Sequence, residues 1–304
     1  MPSDDHVALA SLRTFLDEVH LAPPGEVAEV TARAAARLGW TARLWVTDYE
    51  QRLLVPLPAP SVPDADPVAI DGTLAGRAFR RVQPVHVPGD PAVLWVPLVD
   101  GVHRFGVVQF GLPAGTDPAD PAVEDRYRLL SHLAGHLVAA KSPYGDPVQE
   151  AGRRRHRSIA TELLNDLLPP LTFGCPGLVV SGILEPCYEV AADAFDYGVT
   201  GGTAQLAVLD AMGHDLGGTL VVAVALAALR NGRREGRTLY ETVAGIDEAL
   251  RAQWGSTAYV TGVVAELELA TGRLRWINAG HPSPLLVRRG KVVKSLDRGR
   301  RIVL

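Results

Sequence analysis

Cysteine is nearly missing from this chain of 304 residues, which holds only Cys175 and Cys187. Neither has a His or Cys at metal-ligand spacing, so a disulfide scaffold and a zinc site are both set aside, and buried free thiols are expected. Long apolar runs are missing as well. The longest, residues 220–229, falls far short of the roughly 20 residues that cross a bilayer. Excess positive charge is also lacking: the net charge is -4 at pH 7, so no global field exists to neutralise a phosphate backbone, and nucleic acid is set aside as a partner. The one basic cluster, residues 153–157, reads as a solvated helix face. Residues 1–5 are acidic where an export signal would be basic and then apolar. The expectation is a cytoplasmic protein with no membrane association.

What is present is the balance of a folded protein, 47% apolar and 21% charged. The length suits two hydrophobic cores. Apolar positions at helical spacing predict helices over 7–20 and 25–38, the second stopped by Gly39. Short β-rich runs follow at 42–47 and 52–56, then a Pro/Asp loop over 56–67 and a helix at 73–81. Strands at 93–99 and 104–112 flank Asp100-Gly101, a pair suited to a tight hairpin turn. A long helix is predicted over 121–141. Trp40, Trp45 and Trp95 are expected to pack cores rather than line a pocket.

This order of elements resembles a GAF domain, a small-molecule sensor module, over about residues 7–141. The resemblance is carried by Gly72-Thr73-Leu74-Ala75-Gly76-Arg77-Ala78 and by Val93-Leu94-Trp95-Val96-Pro97-Leu98, which look like the family's helix and central hairpin. It implies a small ligand of unknown identity. Beyond a breaker at 142–147, one charged amphipathic helix is predicted from 148 to 168, where Pro169-Pro170 ends it.

The chemistry should sit in two β-like runs around Gly201-Gly202. If that pair makes a two-residue turn, Thr200 faces Thr203, and counting outward sets Asp193 opposite Asp210. Opposed like charges destabilise a sheet unless a cation lies between them. Carboxylates suit Mg²⁺ or Mn²⁺, and two such ions can orient a water for in-line attack on phosphorus. Spacing alone leaves a second reading equally open, in which both are solvated turn residues at strand ends, or a bulge shifts the register and the pairing never occurs. Asp196, at odd spacing from Asp193, points to the other face and stays outside the metal set.

Residues 171–298 resemble the SpoIIE-like branch of the PPM, or type 2C, metal-dependent serine/threonine phosphatases. The resemblance runs through Ala191-Ala192-Asp193-Ala194-Phe195-Asp196-Tyr197, Asp210-Ala211-Met212-Gly213-His214 and Asn278-Ala279-Gly280-His281-Pro282-Ser283-Pro284. It implies that Asp193 and Asp210 are the catalytic, metal-binding carboxylates, that the Ala211 carbonyl adds a ligand, and that two Mn²⁺ or Mg²⁺ ions bind. It also implies an αβ-βα sandwich, and a phosphorylated protein as substrate, such as an anti-sigma-factor antagonist. His214 is a candidate general acid or a loop-holding residue, and His281 is read as structural. Helices are predicted at 215–234 and 238–253, and strands at 258–269, 273–279 and 285–289.

The whole is read as α+β: a GAF-like sensor at 1–141, a linker helix at 142–170 and a phosphatase domain at 171–304. Ala191 and Ala192 stand where the family has glycines, and Asp215 replaces another, each adding a Cβ near the site. The chain ends at 304 on an apolar run before the family's further acidic motif, so truncation is expected. Three functions are carried forward: a GAF-regulated phosphatase, a pseudophosphatase that binds a partner without turnover, and a ligand-sensing homodimer.

Overall fold

The computed structural model describes residues 4–185, 188, 192–213, 215–301 and 303–304. The chain divides into two compact units, Met1–Arg155 and His156–Leu304.

The first unit opens with helices α1 (Asp4–Leu21) and α2 (Val27–Ala36) and strands β1 (Thr41–Thr47), β2 (Leu53–Pro56) and β3 (Val68–Ala69). Helix α3 (Leu74–Arg81) follows, then β4 (Val85–Val87), β5 (Val93–Asp100), β6 (His103–Gly111), α4 (Pro121–Lys141) and the short α5 (Pro147–Gly152). The strands make one six-stranded sheet in the order β3-β2-β1-β6-β5-β4, and every pairing in it is antiparallel. Because strand side chains alternate, Leu44 and Val46 point to one face and Trp45 to the other. The first face packs Leu98, Val108 and Phe110 against Phe15, Val30, Tyr127 and Ala134 of the flanking helices. The second packs Trp45, Leu54 and Val107 against Ala75, Ala78 and Phe79 of α3. The tryptophans do pack as expected: Trp40 meets Phe110 and Trp45 meets Trp95, both edge-on.

The predicted single helix over 148–168 is instead two. Helix α5 ends at Gly152, whose carbonyl accepts from the Tyr49 backbone N–H in the first unit. Helix α6 (Ile159–Leu167) starts afresh at Ser158, whose hydroxyl accepts the Thr161 N–H at 3.1 Å. A serine cap satisfies one of the N–H groups a new helix leaves unpaired, which an uninterrupted helix has no need of. The basic cluster falls in the gap between them, so it is no helix face.

The second unit continues with hairpin β7 (Thr172–Cys175) and β8 (Leu178–Ser181), then β9 (Asp193–Thr200), β10 (Thr203–Ala211), α7 (Leu216–Arg234) and α8 (Leu239–Trp254). It closes with β11 (Val260–Glu268), β12 (Arg273–Ala279), β13 (Leu285–Arg288), β14 (Lys291–Ser295) and β15 (Arg300–Arg301). The main sheet runs β15-β12-β11-β10-β9, leaving β9 at an edge, while β7–β8 and β13–β14 are separate ribbons. Leu209, Val260 and Val264 bury one sheet face against Val222 and Leu226 of α7, Ile246 and Leu250 of α8, and Leu164 of α6. Of the two sheets implied by the family resemblance, the described residues form one, with its helix pair. Leu304, expected in an uncapped apolar end, is buried and exchanges both backbone hydrogen bonds with Val260. Cys175 is only half-buried, on β7, where a buried thiol was expected; Cys187 lies outside the described residues.

Candidate functional site

Strands β9 and β10 are joined by Gly201 and Gly202, at φ 57° and 78°. Positive φ at both central residues marks the turn whose twist matches antiparallel strands, and glycine takes it without Cβ strain. The register follows without a bulge: Thr203 faces Thr200, Val208 faces Phe195, and Asp210 faces Asp193. Ladder continuity extends one step further, since the Ala211 N–H donates to the Ala192 carbonyl at 3.0 Å.

Asp193 and Asp210 therefore share the face opposite α7 and α8. The Asp193 carboxyl has its pKa raised, first by burial of the group, then by the negative charge of Asp210 and a side-chain hydrogen bond with it; the charge of His281 acts in the opposite sense. The residue as a whole remains exposed, so solvent weakens each of these effects.

A cavity of about 680 Å³ opens on this face, lined by Asp193, His281, Phe195, Val208 and Trp276 among others. His281 comes from the turn after β12. Its backbone N–H donates to Asn278 Oδ1 at 2.8 Å, and its Nδ1 lies 2.9 Å from Thr261 Oγ1. Thr261 in turn faces Asp210 across β10–β11. The sequence reading left His281 out of the site. Only the folded sheet brings β9, β10, β11 and the turn after β12 side by side, and the only signal for it was the Ala-Gly-His-Pro motif.

Asp196 points to the helical side, as its odd spacing requires, and is held there by Arg230 and Arg233. Ala211 is buried in the helix-side core. Ala192 fits because Gly218, at the start of α7, carries no side chain: a Cβ there would lie 2.8 Å from the Ala192 Cβ. Asp215 has a local duty as the cap of α7, accepting the Gly218 N–H at 3.2 Å. His214 and Ala191 lie outside the described residues. Among the described residues no group of three or more His, Cys, Asp and Glu side chains gathers at metal-binding distance, so the full donor set of a two-ion centre is not assembled there.

The family model for stage II sporulation protein E matches residues 200–304. These residues form a SpoIIE-family domain of the PPM phosphatase class. The matched span contains Asp210, Ala211 and His281 but begins after Asp193. A SpoIIE-family protein from Thermanaerovibrio acidaminovorans is similar at 25% identity over 32% of this chain and 50% of that one, with a TM-score of 0.28. The chain thus spans half of that protein's length. Over the other unit, the GAF domain of an Acinetobacter phosphoenolpyruvate-protein phosphotransferase is similar at 14% identity, covering 46% of this chain and 97% of that one, with a TM-score of 0.40. The corresponding domain from Coxiella burnetii is similar at 15% identity, covering 46% and 98%, with a TM-score of 0.39. The first unit, with its six-stranded antiparallel sheet, is what these two GAF domains are similar to. Among the described residues no helix is long and apolar enough to cross a membrane.

Proposed function

We propose that this chain is a protein serine/threonine phosphatase that hydrolyses phosphoserine and phosphothreonine with metal-activated water, under the control of its GAF-like unit and a small ligand bound there. The observation that carries the reading is the in-register opposition of Asp193 and Asp210. A sheet gains nothing from facing two carboxylates, and a divalent cation between them turns a repulsive pair into a ligand pair. The donors present fit one hard cation: two carboxylates and the Ala211 carbonyl, with water completing the shell. When bound there, such an ion would stabilise charge on a phosphoryl oxygen and supply a nucleophilic water near neutral pH.

The chain's own residues do the remaining work. Asp193 and Asp210 set the position of the ion, the ladder from Ala192 to Ala211 keeps them opposed, and His281, steadied by Thr261 and Asn278, holds an imidazole beside Asp193. The apolar floor of the cavity, from Phe195 to Trp276, excludes water around the phosphorylated residue. The substrate is then a phosphorylated protein segment, with an anti-sigma-factor antagonist the candidate.

The test is Mn²⁺-dependent hydrolysis of p-nitrophenyl phosphate by the full chain, with Asp193→Asn and Asp210→Asn. Each variant is expected to lower the rate by more than about a hundredfold, beyond the loss typical of changes outside the ligand set. Rates that ignore Mn²⁺ and both substitutions would sink the reading. A second reading is favoured by the absence, among the described residues, of a third acidic ligand: a pseudophosphatase that binds its partner without turnover. Mn²⁺ binding without hydrolysis would select it.

A further inference from the structure

Asp196 is 3% exposed and is the most enclosed carboxylate of β9. Arg230 reaches its Oδ1 with both Nε and Nη2, at 3.0 and 2.7 Å, and Arg233 reaches Oδ2 with Nη1 at 2.7 Å. Two guanidinium groups on one carboxylate leave a surplus positive charge, and the structure supplies its counterpart. Arg230 Nη2 also donates to the Leu167 carbonyl at 2.6 Å, at the last turn of α6. That carbonyl is one of those a helix end leaves unpaired, at the negative pole of the helix dipole. The neighbouring residue repeats the link on the other side of the strand: the Tyr197 hydroxyl donates to the Pro170 carbonyl at 2.6 Å. Consecutive residues of β9 are thus tied to the exit of α6, one directly and one through α7.

The placement matters because, among the described residues, β9 is an edge strand whose only ladder partner is β10. At its start Asp193 faces Asp210, so the ladder there carries repulsion. Whatever else restrains β9 decides how closely the two carboxylates approach.

We propose that Asp196, Arg230 and Arg233 form a clamp by which the exit of α6 sets the position of β9, and with it the distance from Asp193 to Asp210. Arg230 and Asp196 are positioning residues, and a shift of the α6 exit is transmitted to the acidic pair. The functional consequence rests on the metal-site reading above; the mechanical coupling does not.

Two measurements on the full chain separate the two: hydrogen–deuterium exchange along β9, and Mn²⁺ affinity by calorimetry. Arg230→Ala is expected to speed exchange over 193–200 by about tenfold while α8 stays protected, and to weaken Mn²⁺ binding by about tenfold, the usual cost of losing a group that orients a ligand. Arg230→Lys keeps the charge but not the fork that spans Asp196 and Leu167, so it should recover only part of both. Unchanged exchange in β9 overturns the clamp. Wild-type Mn²⁺ affinity in a variant with a loosened β9 overturns its role in positioning the pair. If Arg230→Ala exposes α8 as well, Tyr197→Phe, which removes a single hydrogen bond, is the deciding variant: faster exchange confined to β9 supports the clamp, and none overturns it. A chain that binds no Mn²⁺ while β9 loosens as expected sinks the metal reading and leaves the clamp standing.

Discussion

At the residue scale, the opposition of Asp193 and Asp210 carries a thermodynamic signature of its own. A carboxyl whose folded pKa is raised contributes stability in its protonated form, and that contribution is lost as pH rises through the raised value. In the absence of metal, Asp210→Asn should therefore stabilise the chain at about pH 7 by a few tenths of a kcal/mol, the size of an exposed like-charge pair. The difference should shrink toward about pH 3, as Asp193 takes up its proton when the pH falls through its raised value. Urea denaturation of the metal-free protein at both pH values measures it, and a variant less stable than wild type at neutral pH would contradict the pairing. Added Mn²⁺ should reverse the order, since only the intact pair gains from the ion.

At the scale of elements, the β9–β10 register hangs on the turn. Gly202 has φ 78° and open space around it, so a side chain there meets no neighbour and costs only backbone strain. Gly202→Val should lower stability by about 1–2 kcal/mol, whereas Gly201→Asn, which tolerates the left-handed region, should be near neutral. Equal losses for both in urea denaturation would show that the turn does not set the register. The helices around the site are defined locally: Asp215 caps α7, and Thr238 with Glu241 closes a reciprocal capping box on α8.

At the scale of the whole molecule, the chain is two units joined through a stretch that is not helical. Residues 153–156 are exposed between α5, which belongs to the first unit, and α6, which belongs to the second. Limited trypsin digestion should cut first at Arg153, Arg154 or Arg155 and leave two resistant fragments, readable by mass spectrometry. First cuts inside α5 or α6 would mean that the division falls elsewhere. Beyond this stretch the chain enters α6, whose exit is tied to β9 through Arg230 and Tyr197.

Much of this was legible in the sequence because it is set by neighbours along the chain. The 3.6-residue and two-residue periods placed the helices and main strands, and Gly201-Gly202 with simple alternation offered the register that sets Asp193 opposite Asp210 and sends Asp196 to the other face, while the absence of a bulge was left for the structure to show. The break at 153–158 was not read from the sequence, because the charged helical pattern runs on either side of it; the structure shows it in the Ser158 cap of α6. What only the tertiary structure decided depends on residues far apart in sequence. Thr261 and His281 join the acidic pair because β10, β11 and β12 lie side by side, Ala192 is accommodated because Gly218 is its neighbour, and the buried carboxylate of Asp196 finds Arg230, Arg233 and the Leu167 carbonyl only once α7 crosses the sheet. Spacing can say which face a side chain takes; what waits for it there is settled by packing.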